Sequence, residues 1–276
     1  MDLAVAPSRT DLAPTPETCV LIPVWNDQAG LLRTLEALAD EATSFDIVVV
    51  DDGSRDPIVC DPQYGAHAVM LRRLPHNRGI EHALNEGLAL ILSRGYRYVA
   101  RLDCGDRSMP GRLARQVAFL EAHPRVGIVG TWARCVDDSG AYLFSMRFPF
   151  EHDAMLRRQR YVPALLHPTV MIRAEALREV GPYSDRHRTA EDYELFSRIA
   201  RSWQLANIPE PLTEYIVSAS GTTATRRRQT LHSRLKVQWE NFDWTDPHAW
   251  LGAGQTLVFM AVPFRWIVAV KRRVWH

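Results

Sequence analysis

Three observations predict an α/β fold built on a mainly parallel sheet flanked by helices. Short apolar runs alternate with stretches of helical spacing, and the runs lack the polar alternation of a half-exposed strand, as expected of strands buried on both faces. Two acidic clusters, Asp51-Asp52 and Asp103 with Asp106, stand where such runs end. After Thr131 the alternation gives way to a mixed pattern.

Cys19-Val20-Leu21-Ile22 reads as the first strand, stopped by Pro23. Leucines at 31, 32, 35 and 38 predict a helix from Asp27 to Asp40, with Asp27 suited to cap it. The run from Phe45 to Val50 predicts a second buried strand, ending in Asp51-Asp52-Gly53-Ser54, and Val69-Met70-Leu71 a third. A helix from Gly79 to Ser93 and a strand from Tyr96 to Leu102, ending at Asp103, follow. This order implies parallel strands with right-handed crossovers, and ligands in such sheets bind beyond the carboxyl ends of the strands, near the switch point.

The second half opens with a helix from Arg112 to Ala122 and a strand from Val126 to Thr131. Trp132 to Val136 and Ala141 to Met146, joined through Asp137-Asp138-Ser139-Gly140, have the pattern of a β-hairpin. Further on, Thr169 to Ile172 reads as a strand and Glu191 to Arg201 as a helix. Two short strands around Ala206 and Tyr215 precede a basic helix from about Thr225 to Glu240.

The chain has 276 residues, 46% of them apolar and 24% charged, which suits one large α/β unit with an appendage. Lys and Arg number 33 against 32 Asp and Glu, so the balance gives no general attraction to polyanions and no nucleic-acid partner is expected. Cys19, Cys60, Cys104 and Cys135 form no CxxC pair and read as reduced thiols. Residues 1–17, interrupted by Pro7, Pro14 and Pro16, lack the basic and apolar regions of a signal peptide and read as a flexible lead-in to a cytoplasmic protein.

At the other end, Leu257 to Val270 is apolar except for Arg265, contains Pro263, and runs into Lys271-Arg272-Arg273. A spanning helix needs roughly 20 apolar residues, and a charge inside it is costly. An interfacial segment carrying Trp250, Trp266 and Trp275 at head-group level is one reading, giving a peripheral membrane contact. A helix closing the protein's own core, or a dimer contact, is the other.

Seven motifs then fall in a recognisable order from about Cys19 to Tyr215. They are Leu21-Ile22-Pro23-Val24-Trp25-Asn26, Val48-Val49-Val50-Asp51-Asp52-Gly53-Ser54-Arg55-Asp56, Asn77-Arg78-Gly79 and Ala83-Leu84-Asn85-Glu86-Gly87 in the first part. Arg101-Leu102-Asp103-Cys104-Gly105-Asp106, His167-Pro168-Thr169 and Glu191-Asp192-Tyr193-Glu194-Leu195 complete the series. Together they resemble the family 2 glycosyltransferases, inverting enzymes of the GT-A fold that act in bacterial surface-polysaccharide assembly.

The resemblance implies a GT-A domain over 18–222, with a nucleotide-sugar-binding half at 18–131 and an acceptor half at 132–222. A basic and apolar helical region would occupy 223–276. It implies transfer of a sugar from a nucleoside-diphosphate sugar to the hydroxyl of a saccharide or lipid-linked saccharide. Pro23, Trp25, Asp51 and Asp52 would hold the base and ribose; Asp51 to Ser54 also suits a tight turn. Asn77, Arg78 and Gly79 would face the phosphates, while Asn77 also suits a helix N-cap. Asp103 and Asp106 would hold Mg²⁺ or Mn²⁺, with Gly105 standing where the family usually has a second acid. Asp192 would be the catalytic base, though a first-turn acid also suits a helix start.

On the acceptor or phosphate side the resemblance points to Glu191 and His167, the latter also suited to a purely structural hydrogen bond. His232 is a further candidate for metal or diphosphate contact. Arg226-Arg227-Arg228 could lie over the diphosphate, face anionic lipid, or form a solvated helix face. The rival from another class is a nucleotide-sugar-binding protein that has lost turnover with its second motif acid.

Overall fold

The computed structural model describes residues 16–217 and 227–261. Most of the lead-in, Arg226, and the stretch holding Trp266, Lys271-Arg272-Arg273 and Trp275 lie outside the described residues. Strand β1 (Thr18–Val24) lies in the middle of the parallel part of the sheet, between β2 (Asp46–Asp51) and β5 (Tyr98–Arg101). On the far side of β2 comes β4 (His67–Arg73), also parallel, edged by the short antiparallel β3 (Gln63–Tyr64).

Helix α1 (Gln28–Ala39) connects β1 to β2, and α2 (Ile80–Ser93) connects β4 to β5. From β1 the chain builds outward through β2 and β4, then returns to place β5 on β1's other side. That reversal is the switch point, with the carboxyl ends of β1, β2 and β5 around it.

Both faces of this sheet are covered, which is why its strands are continuously apolar. Cys19 and Leu21 pack toward Leu84, Leu88 and Ile91 of α2, while Val20 and Ile22 pack toward Leu31, Leu35 and Leu38 of α1. Leu113 and Leu120 of α3 (Arg112–Ala122) extend the second layer.

The strand does not stop at Pro23. The Leu21 carbonyl accepts from Leu102 N–H on the β5 side, and the Val24 carbonyl accepts from Asp52 N–H on the β2 side. Pro23, two residues beyond Leu21, faces the β5 side after that ladder has ended, so its missing N–H costs nothing.

Beyond β5 the sheet continues through β9 (Met171–Arg173), β7 (Val126–Val136), β10 (Gln204–Ile216) and the two-residue β6 (Arg107–Ser108), with β8 (Tyr142–Met146) also on β7. Two expectations change here. The strand expected to end at Thr131 and the hairpin arm from Trp132 are one strand, which pairs with β9 at Ile128 and Val129 and with β8 from Ala133 onward. The two short strands around Ala206 and Tyr215 are likewise one, bulged between Ile208 and Thr213, where Pro209 and Pro211 interrupt the regular ladder.

A 3-10 turn at His167–Thr169 replaces the expected start of the next strand. Helices α4 (His152–Gln159) and α5 (Ala174–Val180) were not anticipated, being short and weakly patterned. Helix α6 (Glu191–Ile199) packs against α5, and α7 (Arg227–Glu240) and α8 (Pro247–Ala261) form a hairpin of their own. Among the described residues, no helix is long and apolar enough to cross a membrane.

Candidate active site

At the end of β2 the two acids are consumed by the backbone. Asp51 is fully buried; its carboxylate accepts from Ser54 N–H at 2.8 Å and Ile58 N–H at 3.3 Å, and lies 3.4 Å from the Arg73 guanidinium. Asp52 accepts from Arg78 N–H at 2.9 Å and Gly79 N–H at 3.0 Å. Burial nevertheless raises its titration above the ordinary carboxylate range.

Asp52 thus ties the loop before α2 to the strand end. Gly79 (φ +107°) takes the N-cap position, rather than Asn77. Gly53 (φ +64°) is required where it stands, because a Cβ there would meet the His76 backbone at 2.3 Å. Trp25, which follows β1, is 54% exposed, and Asn77 and Arg78, in the loop before α2, are exposed. Pro23 is buried in the strand.

The acids after β5 are arranged differently. Arg101, 1% exposed, donates to the Leu21 and Leu102 carbonyls at 2.7 and 3.0 Å, to His167 Nε2 at 3.3 Å, and to Asp103 Oδ1. Only one oxygen of Asp103 is engaged in this way, and the side chain remains 35% exposed. Asp106 lies deeper: one oxygen accepts from Ile216 N–H at 2.9 Å, and the other is buried with no partner among the described residues. Burial, reinforced by Asp103, pushes its pKa well up.

Between them, Gly105 has φ +100° and donates to Thr34 Oγ1 at 2.9 Å. A Cβ there would come no closer than 4.0 Å to its neighbours, so backbone conformation rather than space excludes an acid. Among the described residues no group of three or more His, Cys, Asp or Glu side chains could enclose a metal. Of Asp103 and Asp106, only Asp103 is partly accessible with one oxygen left unbonded among the described residues. That fits a cation completed by phosphate oxygens and water, the usual manner of Mg²⁺, and does not fit an all-protein cage.

The third set of acids begins α6. Asp192 is partly accessible but densely surrounded by protein; one oxygen accepts from Tyr193 N–H at 2.7 Å. Burial raises its pKa, with Asp103 adding to the rise, while the Tyr193 N–H and Arg234 oppose it. Glu191 is buried, with Oε2 unpartnered among the described residues, and is pushed up to about 8 by burial first and by Asp192 next. Since Asp103 acts on Glu191, Asp192 and Asp106 alike, the fold gathers acids from the β5 end and the α6 start into one field.

The scaffold linking them is buried. His167 Nε2 faces both Arg101 and the Tyr183 hydroxyl, the latter at 2.8 Å. Burial and Arg101 hold this imidazole neutral. Tyr183 is in turn pinned to α2 through both Asn85 amide atoms at 2.9 Å. The loop into α6 carries Thr189 at φ +67°, an uncommon conformation for a β-branched residue, directly before the acids.

His167 is therefore held inside, and His232 is exposed on α7. On α7 it is Arg234 whose charge acts on Asp192. Arg228 is exposed on the same helix. Sequence reasoning missed Arg101, Tyr183 and Arg234. Of these, only Arg101 had a signal, a charge inside an otherwise apolar strand run.

Under-neutralised carboxylates at two element ends, beside the switch point of a sheet that turns mixed beyond β5, suit a transferase of the GT-A type. Residues 19–181 match the family described as glycosyl transferase family 2. An uncharacterized glycosyltransferase of Haemophilus influenzae is 32% identical over 77% of this chain and 78% of its own length. The amylovoran biosynthesis glycosyltransferase AmsE of Erwinia amylovora is 28% identical over 79% and 82% respectively.

Among solved structures, the mannosyltransferase PcManGT from Pyrobaculum calidifontis, in complex with GDP-Man and Mn²⁺, superposes with a TM-score of 0.62. It covers 96% of this chain and 75% of its own at 19% identity, a likeness of fold. The chain belongs to glycosyl transferase family 2, and is a glycosyltransferase.

Proposed function

We propose that the chain transfers a sugar with inversion from a nucleoside-diphosphate sugar to a hydroxyl of a saccharide or lipid-linked saccharide, in polysaccharide or glycolipid assembly, with Asp192 as the base. The observation that carries this reading is that Asp103 stands near enough to Asp192 to act on its charge, each with only one carboxylate oxygen bonded to protein among the described residues. Asp103 belongs at the phosphate end and Asp192 at the acceptor end. The free oxygen of Asp192 accepts the acceptor hydroxyl's proton as that oxygen attacks the anomeric carbon. Arg234 opposes the rise that burial gives Asp192 and so favours its ionised form.

The donor's base and ribose lie against Trp25 and the Asp51-Asp52 turn, whose carboxylates shape the turn and leave Asp52 lone pairs for a ribose hydroxyl. Arg78 and the first turn of α2 face the phosphates. Asp103 would hold a divalent cation, Mg²⁺ or Mn²⁺, as the Mn²⁺ named with the mannosyltransferase supports. When bound, the ion would neutralise charge on the leaving diphosphate. The name of AmsE supports a polysaccharide product. A peripheral position at the inner face of the membrane would bring a lipid-linked acceptor within reach.

Donor hydrolysis and binding across a panel of nucleotide sugars, in Mg²⁺, Mn²⁺ or EDTA, tests the reading. The expected result is slow, cation-dependent release of one nucleoside diphosphate, lost in Asp192→Asn while donor binding persists. Binding without turnover in the parent, even with acceptor extracts, would instead support the degenerate binder.

A further inference from the structure

The α7–α8 hairpin presents a surface that the transfer reaction does not use. Trp239, Phe242, Trp244 and Trp250 form one aromatic group with ring centroids 4.9 to 5.9 Å apart, edge to face except for the tilted Trp239–Phe242 pair. Yet the three indoles are 61%, 65% and 52% exposed. An aromatic group of this size packed mainly on itself, with its outer side in solvent, is uncommon for a water-facing surface.

Helix α8 continues the anomaly. Its buried positions are the small Ala249, Gly252 and Thr256, and Gly252 lies so close to the Arg160 carbonyl that a Cβ would meet it at 2.1 Å. Its large apolar residues face outward: Leu251 is 60% exposed, Leu257 53% and Val258 56%. A helix that serves only its own fold has the reverse arrangement.

Charge identifies the occupant. From Arg226 to His276 the sequence holds nine Lys and Arg against three acids. Those acids are already engaged: Asp243 and Asp246 pair with Arg160 at 3.9 and 3.0 Å, and Glu240 meets His187 at 2.9 Å. Within the hairpin Arg228 and Lys236 remain exposed beside these engaged acids, and the sequence after Ala261 adds further apolar residues, Arg265 and Lys271-Arg272-Arg273. A second copy would set basic against basic. A bilayer with anionic headgroups satisfies both features, since indoles favour the headgroup boundary and clustered basic residues favour anionic lipid.

We infer that the exposed face formed by Trp239, Trp244, Trp250, Leu251, Leu257 and Val258 docks this enzyme, lying flat, on an anionic lipid surface. This deepens the proposed peripheral position by naming the surface. Helix α7 also carries Arg234, whose charge acts on Asp192, so docking would hold the acceptor end of the site near the bilayer. Trp239 is five residues further along, about 8 Å at helical rise.

The experiment is co-sedimentation of the full chain with vesicles of phosphatidylcholine alone and of phosphatidylcholine mixed with phosphatidylglycerol, without donor. The parent is expected to pellet with the mixed vesicles only, and to release as salt rises. The triple variant Trp239→Ser, Trp244→Ser, Trp250→Ser should lose roughly tenfold or more of that partitioning while keeping the parent's donor hydrolysis. If it aggregates, Leu257→Gln with Val258→Gln makes the same test on the other end of the face. No pelleting with mixed vesicles, equal pelleting with both kinds, or self-association that the substitutions abolish would each overturn the inference. Donor hydrolysis in the absence of vesicles tests the transfer reading separately, so the two can fail independently.

Discussion

The end of β2 and the end of β5 place acids at equivalent points of the same sheet and use them in opposite ways. Asp51 and Asp52 together accept four backbone N–H bonds, and Asp51 has Arg73 beside it. Asp103 is held by one guanidinium and left partly open, and beyond it Asp106, Glu191 and Asp192 are crowded and only partly bonded. A carboxylate with both oxygens held by backbone N–H groups shapes a turn. One kept in low dielectric with a lone pair to spare can bind a cation or take a proton. The difference separates the acids that hold the turn together from those proposed to carry the chemistry.

Substitutions should reproduce that division, and the largest effect belongs to the α6 start. Asp192→Asn is expected to lower transfer by about 10²–10⁴ while changing donor affinity by no more than about twofold. Single-turnover assays alongside donor titration check this; loss of both together would place Asp192 with the architectural acids. The parent's own pH profile sharpens the point. Because burial raises Asp192, the acid limb of kcat/KM should lie above the ordinary carboxylate range, with activity gained as pH rises through that limb.

At the β2 end the cost should fall on stability first. Asp51→Ala strands two backbone donors and the Arg73 charge, so denaturant unfolding should show a loss of about 2–4 kcal/mol. An unchanged midpoint would break the comparison. Trp25→Ala should do the converse: donor affinity weakened roughly tenfold, as stacking energies imply, with the unfolding midpoint unmoved because the ring is 54% exposed.

The smallest effect concerns Glu191. Its pKa is raised to about 8, so its contribution to stability is fully present below the unfolded carboxylate pKa and is lost as pH rises through about 8. Glu191→Gln removes that ionisation. The variant's Tm should therefore fall less than the parent's between about pH 6 and 9, ending a few degrees above it at the alkaline end. Parallel melting curves would show Glu191 to be effectively solvated.

How much of this was legible in advance follows from the range of the interactions. The parallel core was readable because burial on both faces leaves a local mark: Val20, Leu21 and Ile22 are all apolar, and the leucines of α1 recur at helical spacing. The Asp27 cap was readable for the same reason, since its bond to Gly30 N–H spans three residues. The order of motifs also sufficed to reveal the family. Strand limits in the second half were misread because partners supplied from elsewhere decided them: β7 exchanges β9 for β8 along its length, and β10 runs through two prolines because β7 pairs with it on both sides of them.

Sequence alone therefore determined the layered core, the switch point and the list of candidate acids, since apolar periodicity and turn chemistry act over a few residues. Tertiary structure decided which acids are spent and which are free. Asp52 meets Arg78 across 26 positions, Asp106 meets Ile216 across 110, and Arg101 meets His167 across 66. The lone pairs of a carboxylate are filled by whatever the folded chain brings within about 3 Å, and no local pattern records that.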